Sequence, residues 1–201
     1  MKFLPWFVLV TSLVLGSIST AAGGATIDQN PVLAGNNPPT NPQSKNAVDL
    51  YNQGIAKYQA NDLPGALQAF EAALQLRPNF LEALVNSANV LDDLGRTPEA
   101  INRYGLALAQ NASDPNIYYN RGLAHSRLSQ YPQAINDYNK AIVLNAEYPF
   151  PYQGRALIKY EKLGDKKGGL QDLKTAAEIY QRQGNKSKFD ELMGIYKKLG
   201  G

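Results

Sequence analysis

In the middle of the chain, small and aromatic residues return in steps of three and four, the spacing that lays an apolar stripe along one side of an α-helix. Ala66, Phe70 and Ala73 keep those steps, as do Ala134, Tyr138 and Ala141. The stripe itself recurs. Asn52, Asn86 and Asn120 are separated by 34 residues, and the same interval relates Pro64, Pro98 and Pro132, then Ala66, Ala100 and Ala134, then Phe70, Tyr104 and Tyr138. Proline in the first turn of a helix gives up only an amide that has no intrahelical partner, so each of these prolines marks the start of a second helix. Thr97, just before Pro98, is placed as a helix cap. A single helix pair cannot bury such a face, whereas stacked pairs can, so at least three repeats and a terminal cap are expected. After Gly184-Asn185, the residues Phe189, Leu192, Met193, Tyr196 and Leu199 predict one closing helix that starts around Ser187 and Asp190.

Two segments at the start break the pattern. Lys2 precedes an uncharged apolar run, Phe3 to Ile18, and small residues follow from Ser19 to Ala25. That is export-signal chemistry, with cleavage expected between Ala21 and Ala25; an uncleaved membrane anchor is the alternative. From residue 26 to 46 the chain turns to Asn, Pro, Gly and Thr, centred on Asn36-Asn37-Pro38-Pro39, and reads as an extended linker.

These residues together resemble the tetratricopeptide repeat, which has small residues at positions 8, 20 and 27 and an aromatic at position 24. Gly54, Ala88 and Gly122 occupy position 8. The organisation that follows is a signal or anchor at 1–25, a linker at 26–46, regular repeats at 47–80, 81–114 and 115–148, a divergent fourth repeat at 149–183 and a capping helix at 186–201. The fourth repeat gains one residue, expected around Gly164-Asp165. Position 11, usually aromatic in the family, holds Lys57, Leu91, His125 and Lys159. The resemblance implies an all-α, right-handed α-solenoid of antiparallel helix pairs. The last repeat, with Gly154-Arg155-Ala156, Asp172-Leu173 and Ala176-Ala177, is similar to tetratricopeptide proteins of photosynthetic bacteria related to chloroplast assembly factors.

Composition narrows the chemistry. No cysteine is present, which removes disulfides, thiolate zinc sites and thiol nucleophiles. His125 is the only histidine and no acidic or nucleophilic motif surrounds it, so it reads as a packed or capping imidazole; neither an enzyme, a metal site nor a cofactor is expected. A net charge of +3 is too balanced to argue for a nucleic-acid partner. Charge is nevertheless uneven, with a surplus of Lys and Arg after residue 155. Lys186, Lys188, Lys197 and Lys198 are the candidate basic surface, which fits a peripheral membrane contact or the solvated side of a cap.

The family binds polypeptides on its first helices. The lining this implies is Tyr51, Asn52, Ile55 and Tyr58, then Val85, Asn86, Asn89 and Asp92, then Tyr119, Asn120, Leu123, Ser126 and Arg127, with Gln153, Leu157 and Tyr160 added by the fourth repeat. The Asn ladder offers donors and acceptors to an extended peptide, or else faces water or a neighbouring helix. The tyrosines either anchor a ligand or pack between helices. Some relatives clamp the acidic tails of chaperones with Asn and Lys or Arg; here the Asn stand without those cations, so such tails are not the expected partner. The expectation is a non-catalytic scaffold for another protein or extended peptide, acting in assembly of an envelope or photosynthetic-membrane complex. Export to a periplasm or thylakoid lumen, or anchoring by the first segment, completes it.

Overall fold

The structure, a computed structural model, describes residues 42–201, with side chains from Asn46 onward. The segment 1–25 and most of the linker lie outside the described residues. The described residues are all-helical and form two compact units, 42–146 and 147–201.

The first unit holds three helix pairs: α1 (Pro42–Gln59) with α2 (Leu63–Leu76), α3 (Leu81–Asp93) with α4 (Thr97–Gln110), and α5 (Pro115–Arg127) with α6 (Tyr131–Leu144). Helix α1 begins at Pro42, ahead of the expected start at Ala47. Pro64, Pro98 and Pro132 stand in the first turns of the second helices, as their spacing predicts. Thr97 does not cap α4. It lies inside the helix, and its hydroxyl donates instead to Asp92 Oδ1 at 2.9 Å. True side-chain caps come from Asp62, which accepts from Gly65 N at 2.9 Å, and Asp114, which accepts from Asn116 N at 2.8 Å.

The packing explains the small-and-large alternation. A Cβ built on Gly54 would stand 2.5 Å from Phe70 Cε1, and one on Gly122 would stand 2.7 Å from Tyr138 Cε1. The glycine therefore clears space for the ring of its own pair's second helix. Phe70, Tyr104 and Tyr138 are buried, with Ala66, Ala73, Ala100, Ala107, Ala134 and Ala141 fully enclosed beside them. Rings filling gaps left by small residues bring the backbones close without voids, which is how protein interiors reach crystal-like density.

The second unit comprises α7 (Pro149–Leu157), which runs into a π-helical turn (Ile158–Lys162), then α8 (Lys166–Arg182) and α9 (Lys186–Lys198). The extra residue of the fourth repeat sits in that wide turn, where Leu163 N donates to Ile158 O at 3.1 Å, rather than at Gly164-Asp165. An insertion inside a helix is accommodated in this way as a single i→i+5 turn. Helix α9 starts at Lys186 with Asn185 as its cap, accepting from Lys188 N at 3.1 Å; Ser187 has no capping part. Leu173, Ala176, Ala177 and Tyr180 on α8 bury against Leu192 and Ile195 on α9, so the closing helix completes the core.

Candidate functional site

The face shared by α1, α3 and α5 carries the residues expected to line a binding surface. Most of them first serve the stack. The Tyr51 ring lies 5.6 Å from Phe70 and 5.0 Å from Phe80, and its hydroxyl accepts from Asn86 Nδ2 at 2.8 Å. Tyr58 donates to Asp93 Oδ2 at 2.9 Å. Asn89 Oδ1 accepts both Tyr104 OH at 2.5 Å and Asn120 Nδ2 at 3.3 Å. Arg127 donates to Asp92 Oδ2. Every one of these bonds except that from Tyr104 joins consecutive first helices, α1 to α3 or α3 to α5.

The outcome for the expected lining follows from this wiring. Asn86 and Asn120 spend amide hydrogens on a neighbouring helix, so the ladder is in part structural. Leu123 and Gln153 are corrections: at 8% exposure each is buried and presents almost no surface, and Gln153 Nε2 donates to Tyr180 OH at 3.2 Å within its own unit. Ile55 packs against the core while keeping part of its surface open, and Tyr119 stacks 6.0 Å from Tyr138. Asn52 is exposed. Asp92 is buried between Thr97 and Arg127 and is a tie rather than a contact point.

The electrostatics keep this face neutral in its hydroxyls. Burial, reinforced by the charge of Asp93, pushes the Tyr58 phenol above its ordinary range, and burial does the same to Tyr104. Both remain protonated donors at any physiological pH. Burial raises Tyr51 as well, aided by the charge of Glu82, with the Asn86 bond opposing it. A face of amides and un-ionised phenols reads hydrogen-bonding shape more than charge.

A second set of polar residues escaped sequence reasoning. Arg121 donates to both oxygens of Asp137 at 2.8 and 2.7 Å, and His125 Nε2 stands 3.9 Å from the same carboxylate. His125 Nδ1 lies 2.6 Å from Gln130 Oε1. The next pair repeats the arrangement: Arg155 reaches Asp172 at 2.8 and 2.6 Å, and Lys159 Nζ is 2.9 Å away. Asp137 and Asp172 are buried, and these basic side chains flank them. This accounts for the family departures at position 11 in the last two repeats, since His125 and Lys159 stand where a ring would lie but face an acid. The signal was present in sequence as an Arg four residues before His125 and another four before Lys159. Carboxylates so fully engaged hold helices together and offer no free base. Among the described residues no cluster of three or more His, Asp or Glu could hold a metal.

The candidate basic surface divides. Lys186 pairs with Asp190 at 2.6 Å and Lys188 with Glu191 at 2.9 Å, whereas Lys197 and Lys198 lie in the last turn of α9. The four lysines are at opposite ends of one helix and do not make one patch. No helix among the described residues is long and apolar enough to cross a membrane.

Comparison with known proteins agrees with this architecture. Sequence models described as "Tetratricopeptide repeat" match residues 47–80 and 115–148, and one described as "TPR repeat" matches 88–129. The chain is 33% identical over 92 residues to the photosystem I assembly protein Ycf3 of Synechococcus sp. (strain CC9605), covering 44% of this chain and 53% of that one. Identity and coverage are the same for Ycf3 of Prochlorococcus marinus (strain NATL2A). The chain thus spans about half the length of the curated relatives it matches. Among solved structures, MamA of Desulfovibrio magneticus RS-1 superposes with a TM-score of 0.65 at 26% identity, over 68% of this chain and 77% of that one.

Proposed function

We propose that this chain, which belongs to the tetratricopeptide-repeat family, is a non-catalytic scaffold that holds a polypeptide on the shared face of α1, α3 and α5 and serves the assembly of a membrane protein complex. The observation that carries the reading is the wired face itself. Amides and protonated phenols are fixed in direction by bonds between neighbouring helices, so a ligand meets a pre-ordered surface and ordering it on binding costs little. An extended main chain, with its alternating donors and acceptors, is the polypeptide form that such a surface suits. The likeness to proteins named as photosystem I assembly proteins supports the assembly setting. Export to a periplasm or thylakoid lumen, or anchoring, through residues 1–25 belongs to the same proposal, and sequencing the N-terminus of the mature protein tests it.

Site-specific photo-crosslinking tests the binding face. A crosslinker placed at exposed Asn52 on α1 or half-buried Asn116 on α5 is expected to capture polypeptide, while one at exposed Asn102 on α4 or Asn136 on α6 is expected to stay unreacted. Adducts confined to the α4 and α6 positions would assign binding to the second helices and remove this proposal.

A further inference from the structure

The unit 147–201 gathers unpaired positive charge at one end. Helices α8 and α9 are antiparallel, joined by the three residues Gln183 to Asn185, so α9 runs back along α8. Its 13 residues rise about 20 Å, so along the helix axis Lys197 and Lys198 come to about one turn from the level of Lys166 and Lys167, at the opposite end of α8 from that connection. Helix α7 arrives at the same end through its π-helical turn, which places Leu163 in the loop just ahead of Lys166. Lys166, Lys167, Lys197 and Lys198 are exposed and make no ion pair among the described residues; Lys166 Nζ lies 5.8 Å from the Tyr160 ring centre. Of the acids at this end, Asp165 is engaged as the cap of α8 through Gly168 N, and Glu161 is exposed. Leu163, at the same end, is 55% exposed.

We propose that this end is a docking surface for an anionic lipid bilayer, with Leu163 entering the headgroup layer and the four lysines lying against the lipid charge. Charge complementarity carries the choice of occupant. The unit holds 11 Lys and Arg against 7 Asp and Glu, and its arginines are spent internally, Arg155 on Asp172 and Arg182 on Glu147. What is left outside is lysine alone. Lysine is a hydrated point charge suited to a diffuse surface potential, and it is depleted where proteins meet proteins. An exposed leucine at the end of a helical unit that also carries unpaired lysines is likewise compatible with a peripheral membrane contact. Lys186 and Lys188 are excluded from this surface by their place at the other end of α9 and by their ion pairs.

The experiment is co-sedimentation of the full chain with phosphatidylcholine vesicles, with and without phosphatidylglycerol. Binding through the apolar residues 3–18 would not depend on lipid charge, so the readout is the preference for anionic over neutral vesicles. Each lysine at such a surface contributes about five-fold, so changing Lys166, Lys167, Lys197 and Lys198 to Gln is expected to cut the preference by at least about 100-fold. Leu163→Ser is expected to weaken it further, whereas Lys186→Gln with Lys188→Gln is expected to leave it intact. An anionic preference that survives the four substitutions, or that is lost as much with Lys186 and Lys188, overturns the proposal. So does poly-glutamate binding as tightly as vesicles with Leu163→Ser without effect, because that result points to an acidic protein instead.

Discussion

Arg121 and Asp137 face each other across the third helix pair in a two-pronged bond of 2.8 and 2.7 Å, with the carboxylate only 1% exposed. The bond holds the arginine above its usual range. Removing one partner of such a pair strands a buried charge at a cost of about 3–5 kcal/mol, whereas replacing both by apolar groups is often neutral. Arg121→Met is therefore expected to lower the urea-unfolding free energy by about 3 kcal/mol or more, and Arg121→Met with Asp137→Leu to restore most of it. A double variant as unstable as the single one would show that the pair does not act as a unit.

Gly54 marks the closest approach in the first pair. A methyl group there collides with the fully buried Phe70 ring, so the ring or the helix must shift. Gly54→Ala is expected to destabilise by about 1–3 kcal/mol, the range for overpacked cores. Adding Phe70→Leu should recover part of the loss in thermal unfolding; no recovery would place the strain elsewhere.

The turns between paired helices pass through the left-handed backbone region, at φ 76° for Gly95 and 58° for Ser129. A side chain there costs about 1–2 kcal/mol, and glycine gives some of that back through its freer unfolded state. Ser129→Gly is accordingly expected to stabilise by about 0.5–1 kcal/mol, and Gly95→Ala to do the reverse by a similar amount. Melting temperatures of the two variants check the pair of signs.

Asp62 caps α2, and the Gly65 amide, then Lys57, hold its carboxyl below the ordinary aspartate range. A depressed folded-state value means the charge adds stability above the unfolded aspartate value and loses it as pH falls through the folded one. Asp62→Asn keeps an acceptor but no charge. The melting temperatures of wild type and variant should differ at pH 7 and converge as the pH drops below about 4. A gap that widens in acid would reverse the assignment.

Legibility in the sequence depended on whether a residue recurs. Gly54 with Phe70, and Gly122 with Tyr138, keep the 34-residue interval, so their close packing is written into the repeat itself. The Arg121–Asp137 and Arg155–Asp172 pairs occur only in the last two repeats; their arginines keep the 34-residue interval, but the aspartates stand 35 apart, so the period marks the arginines without showing which acid each one meets. The Asn ladder was ambiguous for a different reason. The same amide that could meet a ligand could meet a neighbouring helix, and only the stacking of the pairs decides that Asn86 turns to Tyr51 and Asn120 to Asn89. Thr97 does not cap because α4 begins one residue early, with Arg96 at the cap position and Thr97 already in the first turn, where its hydroxyl donates to buried Asp92.

The π-helical turn at Ile158–Lys162 has a consequence for how such arrays can change length. One residue added to an ordinary helix rotates everything after it by about 100° and would turn Asp172 away from Arg155. Here the widened turn takes up the added residue, and Asp172 still meets both Arg155 and Lys159. What the solenoid conserves is angular phase rather than residue count, and a lineage can lengthen a repeat at such a turn while leaving the pairing behind it undisturbed.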